Sequence, residues 1–229
     1  MIADLGIDFC IIIHFTKRFS RLSPEQFIKQ YLNDKIKPKE INVGDDFRFG
    51  QNRSGDLELF KKEGRRLGFR VNIIPSVSLA GEKISSTRIR ELIATGHLQH
   101  AARLLGRLVS ILGKVEKGDS RGKRLGFPTA NIYPTQEILP PLGVYVVNVV
   151  LDKRHYAGMA NVGLRPSFKK NNNRANIEVY ILDFNKGIYG KEIVVEFIKK
   201  IREEKEFLSQ DALVNQLKKD EKKARRLLI

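Results

Sequence analysis

The chain has 229 residues, 41% of them hydrophobic, enough to bury one large core or two modest ones. Its 42 Lys and Arg against 26 Asp and Glu give a net charge of +16, suited to phosphorylated ligands and spread along the chain instead of forming one arm. No apolar run approaches the ~20 residues of a membrane span, the start M-I-A-D-L-G-I-D does not read as a signal peptide, and the single cysteine, Cys10, excludes an internal disulfide or a cysteine-rich metal site.

Residues 9–15 (F-C-I-I-I-H-F) form a continuous apolar run, the pattern of a parallel strand covered on both faces. Cys10 within it reads as a buried, inert thiol, which fits a reducing cytoplasm. Ser23 reads as an N-cap with Pro24 at the first helical position, and Phe27, Ile28, Tyr31 and Leu32 as the apolar stripe of that helix. A short strand at 40–43 leads into G-D-D-F-R-F-G, a helix spans 56–68, and a further strand spans 69–75. Strands alternating with helices of this length predict βαβ units and a parallel sheet. Ser85, Ser86 and Thr87 cap a helix whose apolar face is Ile89, Leu92 and Ile93 and which ends at Gly96; a second short helix, 97–105, closes at Gly106.

From residue 110 the texture changes. Runs at 110–115, 143–151, 155–162, 176–184 and 192–201 are short, strand-like and separated by turn signals, which predicts a small antiparallel barrel. An amphipathic helix follows at 209–228, with Leu213, Leu217, Ala224 and Leu228 inward, Asp211 in its first turn and Lys and Arg in its last. The domain boundary is placed near 106–110.

The chemistry concentrates at 118–131, G-D-S-R-G-K-R-L-G-F-P-T-A-N, where glycines and basic residues lead into a Pro-Thr-Ala-Asn turn. Glycines admit a phosphate chain to backbone N–H groups, and cations neutralise it. The Thr129 hydroxyl and Asn131 amide are neutral oxygen ligands of the kind Mg²⁺ accepts. The same cluster is also ordinary turn punctuation. In 176–184 (N-I-E-V-Y-I-L-D-F), Ile177, Val179 and Ile181 face one way, Glu178 and Tyr180 the other. Beside a metal–nucleotide site Glu178 would accept the proton of an attacking hydroxyl; away from one it is a solvent-facing strand residue. The segment 197–207 offers Arg202 and Phe207 to an aromatic ring system, or Phe197 and Phe207 to the core. At 84–90, I-S-S-T-R-I-R is either an anion site at a helix N-terminus or a plain N-cap.

These pieces recur in one order along nearly the whole chain: V-G-D-D-F-R-F-G-Q-N-R-S-G-D at 43–56, I-S-S-T-R-I-R-E at 84–91, L-L-G-R at 104–107 and the glycine-rich loop. L-P-P-L-G-V-Y at 139–145, N-V-G-L-R-P-S-F at 161–168, I-E-V-Y-I-L-D-F at 177–184 and Y-G-K-E-I at 189–193 follow. On these motifs the chain resembles the bifunctional bacterial riboflavin kinase/FAD synthetase family. The resemblance implies an α/β remnant of a Rossmann-like nucleotidyltransferase domain over 1–106, and over 107–229 an all-β small antiparallel barrel of Greek-key type with a C-terminal helix.

It further implies ATP-dependent phosphorylation of riboflavin to FMN in the cytoplasm, with Mg²⁺ and ATP required and FMN and FAD as products. By position, Thr129 and Asn131 would hold Mg²⁺ and the ATP phosphates. Gly118, Asp119, Arg121, Gly122, Lys123, Arg124, Gly126, Phe127 and Pro128 would form the nucleotide loop. Glu178 would be the general base, and Arg202 and Phe207 would meet the flavin. Asp46, Ser85, Ser86, Thr87 and Arg90 would belong to the adenylyltransferase part. One departure stands out: the family's His-x-Gly-His segment has no match, since His14, His97, His100 and His155 lack that spacing. FAD synthesis by this chain is therefore expected to be absent or severely impaired, the chain being a fragment, a misassigned start, or a product that has lost that half-site. The first domain is expected to be the less stable, or to be covered by oligomerisation at its open sheet edge. The alternative reading is a non-catalytic flavin- or nucleic-acid-binding module, suggested by the charge; a membrane partner is not expected.

Overall fold

A computed structural model of the protein describes residues 5–118, 121–134, 136–165 and 174–228, with only the backbone of Arg121, Lys123, Arg165 and Arg174. The chain divides into two compact units, Met1–Lys83 and Ile84–Ile229.

In the first unit, Thr16 caps α1 (Lys17–Ser20), its hydroxyl accepting from the Phe19 N–H at 3.1 Å. Ser23 opens α2 (Pro24–Phe27) with a capping box: its hydroxyl accepts from the Gln26 N–H, and the Gln26 side chain accepts from the Ser23 N–H. The helix continues as a π-helical stretch, Ile28–Ile36. β1 (Glu40–Gly44) and β2 (Arg70–Ile74) pair in parallel, Glu40 opposite Arg70. Between them lie a 3₁₀ turn, Gln51–Arg53, and α3 (Leu57–Leu67), capped by Asp56 and ended by Gly68 at φ 83°. This is the βαβ unit that the alternation predicts, followed by a small hairpin of β3 (Ser78–Leu79) and β4 (Glu82–Lys83). Ile28, Phe49, Phe60 and Phe69 are its buried centre.

Residues 9–15 depart from expectation. They take no regular structure, and Phe9, Ile12 and Phe15 are 89%, 87% and 76% exposed. An apolar run becomes a strand only where a neighbour accepts its backbone hydrogen bonds, and among the described residues the parallel sheet consists of β1 and β2 alone. Cys10, expected to be buried, is exposed along with the run.

The second unit begins with α4 (Ser86–Ala94), capped by Ser85, and α5 (Leu98–Leu105), closed by Gly106 at φ 67°. Leu92, Leu98, Ala101 and Leu104 share one core with the strands that follow, so these helices group with the barrel although the sequence places the boundary after them. β5 (Val109–Glu116), the single turn α6 (Arg121–Arg124), β6 (Thr129–Ile132), β7 (Gly143–Leu151), β8 (Arg154–Arg165), β9 (Arg174–Ile181) and β10 (Glu192–Arg202) come next. The six strands close into an antiparallel barrel in the order β10-β5-β6-β9-β8-β7. The Pro-Thr-Ala-Asn segment, read as a turn, is in fact where β6 runs. It pairs Thr129 with Tyr180 and Asn131 with Glu178.

Inside the barrel pack Val147, Val149, Ala160, Ile177, Val179 and Ile193. Tyr145 joins them, its ring edge-on to Phe197 at 5.3 Å and its hydroxyl donating to the Pro141 carbonyl. Burial, with the Glu203 carboxylate adding to it, pushes that phenol up to about 12. α7 (Gln210–Leu227), capped by Ser209, lies on the outer face, where Ala224 packs with Val144, Val146, Met159 and Ile201. Arg225 pins its last turn by donating to both oxygens of Asp183, at 2.8 and 2.7 Å. No helix among the described residues is long and apolar enough to cross a membrane.

Candidate active site

Alternate residues of a strand share a face. Ala130, Ile132, Ile177 and Val179 enter the core, so Thr129 and Asn131 of β6 and Glu178 and Tyr180 of β9 face outward. The ladder then aligns Asn131 with Glu178, Glu178 with Asn161, Asn161 with Val144, and Val144 with Arg202. Residues 71 positions apart in sequence thus stand in one row across five strands.

This row floors a cavity of about 740 Å³, walled by Gly122, Leu125 and Phe127 on one side and by Phe207, Leu213 and Leu217 on the other. Phe127 is buried and meets Tyr180 edge-on at 5.2 Å. Burial, with Glu221 nearby, raises the Tyr180 phenol above its usual value. The glycine loop rests directly on the row. A Cβ at Gly118 would stand 2.3 Å from Asn131 Nδ2, and one at Gly122 would stand 2.3 Å from the Phe127 carbonyl oxygen and 3.1 Å from Thr129 Oγ1. Only glycine permits this approach.

Asn131 is 7% exposed, and its Oδ1 accepts from Asn176 Nδ2 at 3.2 Å. Asn176 Nδ2 also stands 3.3 Å from Glu178 Oε1. Glu178 itself reaches the open cavity. At the opposite end, Arg202 donates through Nε to Asp220 Oδ2 at 2.8 Å and through Nη1 to the Glu203 carbonyl at 2.9 Å. Its guanidinium lies 5.7 Å from the centre of the Phe207 ring, and Lys205 Nζ lies 5.0 Å from the same ring. Asp220, on α7, is 2% exposed and also accepts from Gln216 Nε2 at 2.8 Å. Asn161 donates to Glu204 Oε1 at 3.0 Å, tying the segment after β10 back to β8.

A second cavity, about 290 Å³, is lined by the inward residues Ala130, Val179 and Ile181 together with Pro128, Phe184 and Ile188. Among the described residues, Thr129 lines both cavities.

The structure therefore brings Thr129, Asn131, Glu178, Gly122, Phe127, Arg202 and Phe207 to one cavity. Gly118 touches it through Asn131; Gly126 supplies the left-handed bend (φ 80°) before Phe127, and Arg124 is exposed. Asp119, and residues 166–168 of the N-V-G-L-R-P-S-F motif, lie outside the described residues, as do the side chains of Arg121 and Lys123. Asp46 sits in the first unit, 3.6 Å from Lys83. Ser85 in the second unit accepts from the Arg88 N–H at 3.2 Å and so caps its own helix, with Ser86, Thr87 and Arg90 exposed beyond it. Asn176, Asn161 and Asp220 were not foreseen. For Asp220 a signal exists: it completes the helical stripe Leu213, Leu217, Ala224.

Among the described residues, no three His, Cys, Asp or Glu side chains gather as a cation cage. The neutral oxygens of Thr129 and Asn131, beside backbone that glycine keeps bare, fit a hydrated Mg²⁺ that takes most of its ligands from water and phosphate.

The riboflavin kinase family model matches residues 105–228, and the FAD synthetase model matches residues 1–88. The bifunctional riboflavin kinase/FMN adenylyltransferase of Escherichia coli (strain K12) is 39% identical over 225 residues, covering 98% of this chain and 71% of its own. That of Pseudomonas fluorescens is 36% identical over 222 residues, covering 97% and 71%. A crystal structure named as a macrolide-efflux protein from Streptococcus pneumoniae superposes with a TM-score of 0.76 at 37% identity, over 92% of this chain and 67% of that one. On both the matched models and the extent of identity, the chain belongs to the bifunctional riboflavin kinase/FMN adenylyltransferase family.

Proposed function

We propose that the protein transfers the terminal phosphoryl group of ATP to the 5′-hydroxyl of riboflavin, giving FMN and ADP. The observation that carries this reading is the ladder row that sets Glu178 directly opposite Asn131, with Thr129 two residues away and the glycine loop lying on both. Every residue of that row lies within 107–229, which we take as the kinase domain, with 1–106 as the nucleotidyltransferase part. Membership in a family of enzymes leaves the non-catalytic binding module without support.

The larger cavity takes riboflavin, its ring system between Leu213, Leu217 and Phe207 and its ribityl chain directed along the row towards Glu178. The nucleotide approaches from the smaller cavity, so that its phosphates cross at Thr129. Thr129 and Asn131 would hold Mg²⁺, which when bound neutralises the phosphate charge. The protein's own work is positioning and charge. Backbone N–H groups of 121–127 cradle the phosphates, Phe127 and Leu125 exclude water, and Glu178 accepts the hydroxyl proton as the oxygen attacks.

Two measurements test the reading. Glu178→Gln is expected to lower kcat for FMN formation by about 10²–10⁴-fold while leaving the melting temperature unchanged; a variant as fast as the parent removes the general base. FAD formation from FMN and ATP by the same 229-residue chain is expected to fall below detection, because no His-x-Gly-His spacing is available to the phosphates. Turnover at a rate comparable with FMN formation would refute that part alone.

A further inference from the structure

We propose that Asn176 is a positioning residue of this site, its side-chain amide bridging Asn131 and Glu178 and fixing the oxygens that meet the metal–nucleotide and the substrate hydroxyl. The proposal rests on the kinase reading above and adds to it a residue that neither the loop motif nor the catalytic carboxylate points to.

Asn176 precedes Glu178 by two residues on β9, so both side chains leave the same outer face. It is 7% exposed, as buried as Asn131. An amide NH₂ carries two hydrogens, and here Nδ2 has two acceptors within reach, Asn131 Oδ1 at 3.2 Å and Glu178 Oε1 at 3.3 Å. The Glu178 carboxylate, which can only accept, settles that Asn176 turns its NH₂ this way. Turned over, Asn131 would set NH₂ against NH₂ in a buried place, an arrangement that leaves donors unsatisfied. With Asn176 in place, Asn131 presents oxygen, the atom a hard cation requires, and a carboxylate oxygen of Glu178 is held beside it.

A second observation points the same way. Among the described residues, Asn176 Oδ1 is the one buried side-chain oxygen or nitrogen without a hydrogen-bond partner. Buried polar atoms are nearly always paired, so an orphan acceptor next to Asn131 marks a place filled by an O–H donor that arrives with the metal–nucleotide, such as a metal-bound water. The partners of metal ligands commonly matter about 10–100-fold in metal affinity or activity.

The test uses the full chain with Asn176→Leu and Asn176→Asp, both branched like asparagine and both lacking the N–H donor. ADP is titrated calorimetrically with Mg²⁺ and again with EDTA, and FMN formation is followed at steady state. We expect Mg·ADP to bind about tenfold more weakly in both variants, ADP in EDTA to be unchanged, and kcat to fall about 10–100-fold with the KM for riboflavin within about twofold. Variants that melt like the parent, yet bind Mg·ADP and turn over within twofold of it, overturn the proposal. Where either variant melts early, the smaller, uncharged Asn176→Ala decides by the same two readouts. A parent that forms no FMN defeats the kinase reading, while the Mg·ADP titration still judges Asn176.

Discussion

Every barrel strand has a bonded neighbour on each side, whereas among the described residues β1 and β2 of the first unit have only one another. Both units contain long apolar stretches. In the barrel, most of 143–151 and the inward residues of 192–202 are buried by the strands beside them, and Tyr145, Val147, Ile193 and Val195 have no exposed surface. In the first unit, 9–15 is just as apolar and lies in water, while the buried centre shrinks to Ile28 and three phenylalanines. Hydrophobicity drives burial only where the chain supplies partners for both the side chains and the backbone. A closed sheet supplies both; a two-strand sheet leaves edges open.

Three experiments break or sharpen this contrast. The largest effect is expected from truncating the same residue type in both places. Phe197→Ala, inside the barrel at 1% exposure, should cost about 4 kcal/mol in denaturant unfolding; Phe9→Ala, 89% exposed, should stay within about 0.5 kcal/mol. Equal costs would mean that residues 9–15 pack in solution, against a second copy or otherwise. Next comes Asp220→Asn. It leaves Arg202, whose side chain is 18% exposed, without its buried counter-charge, at a cost of about 3 kcal/mol. Loss of the rotamer over Phe207 should raise the KM for riboflavin roughly tenfold, with the KM for ATP unmoved; parallel rises in both would show that α7 merely holds the barrel together.

The smallest effect concerns Asp183. Hydrogen bonds from Arg225, with its charge, hold this carboxyl below its ordinary 3.8. The contact therefore stabilises the fold above pH 3.8, and the contribution is lost as pH falls through the lowered folded value. Melting temperatures across that range should drop less steeply in Asp183→Asn than in the parent, and the difference should shrink with added salt because the pair is exposed. An unchanged acid slope would remove the pair from the account.

Much of this was legible in the chain. Ser23 and Ser85 announce helix starts because a side-chain oxygen before an apolar stripe has a local purpose, and both cap as expected; Asp56 and Ser209, read as the first residues of their helices, turn out to cap them. Glu178 stands out because alternation commits its neighbours to the core. β6 was hidden by its own function. It has only four residues, follows a proline, and its two outward positions are Thr129 and Asn131, so the polar letters that make the site also make the strand look like a turn. Asn176 and Asp220 were hidden for another reason. Asp220 lies among Lys218, Lys219, Glu221 and Lys222 and looks solvated, though its spacing from Leu217 and Ala224 places it on the buried stripe. Residues 9–15 misled because an apolar run states what a segment could bury, never whether a neighbour is there to bury it.

Among the described residues Thr129 is the wall the two cavities share, and that has a kinetic meaning. On the placement proposed above, with a vitamin on one side of this side chain and a nucleotide on the other, neither has to leave before its co-substrate enters. The phosphoryl group is then the sole cargo that crosses, passing straight between the two bound molecules within a ternary complex. The enzyme never needs to carry the phosphate itself.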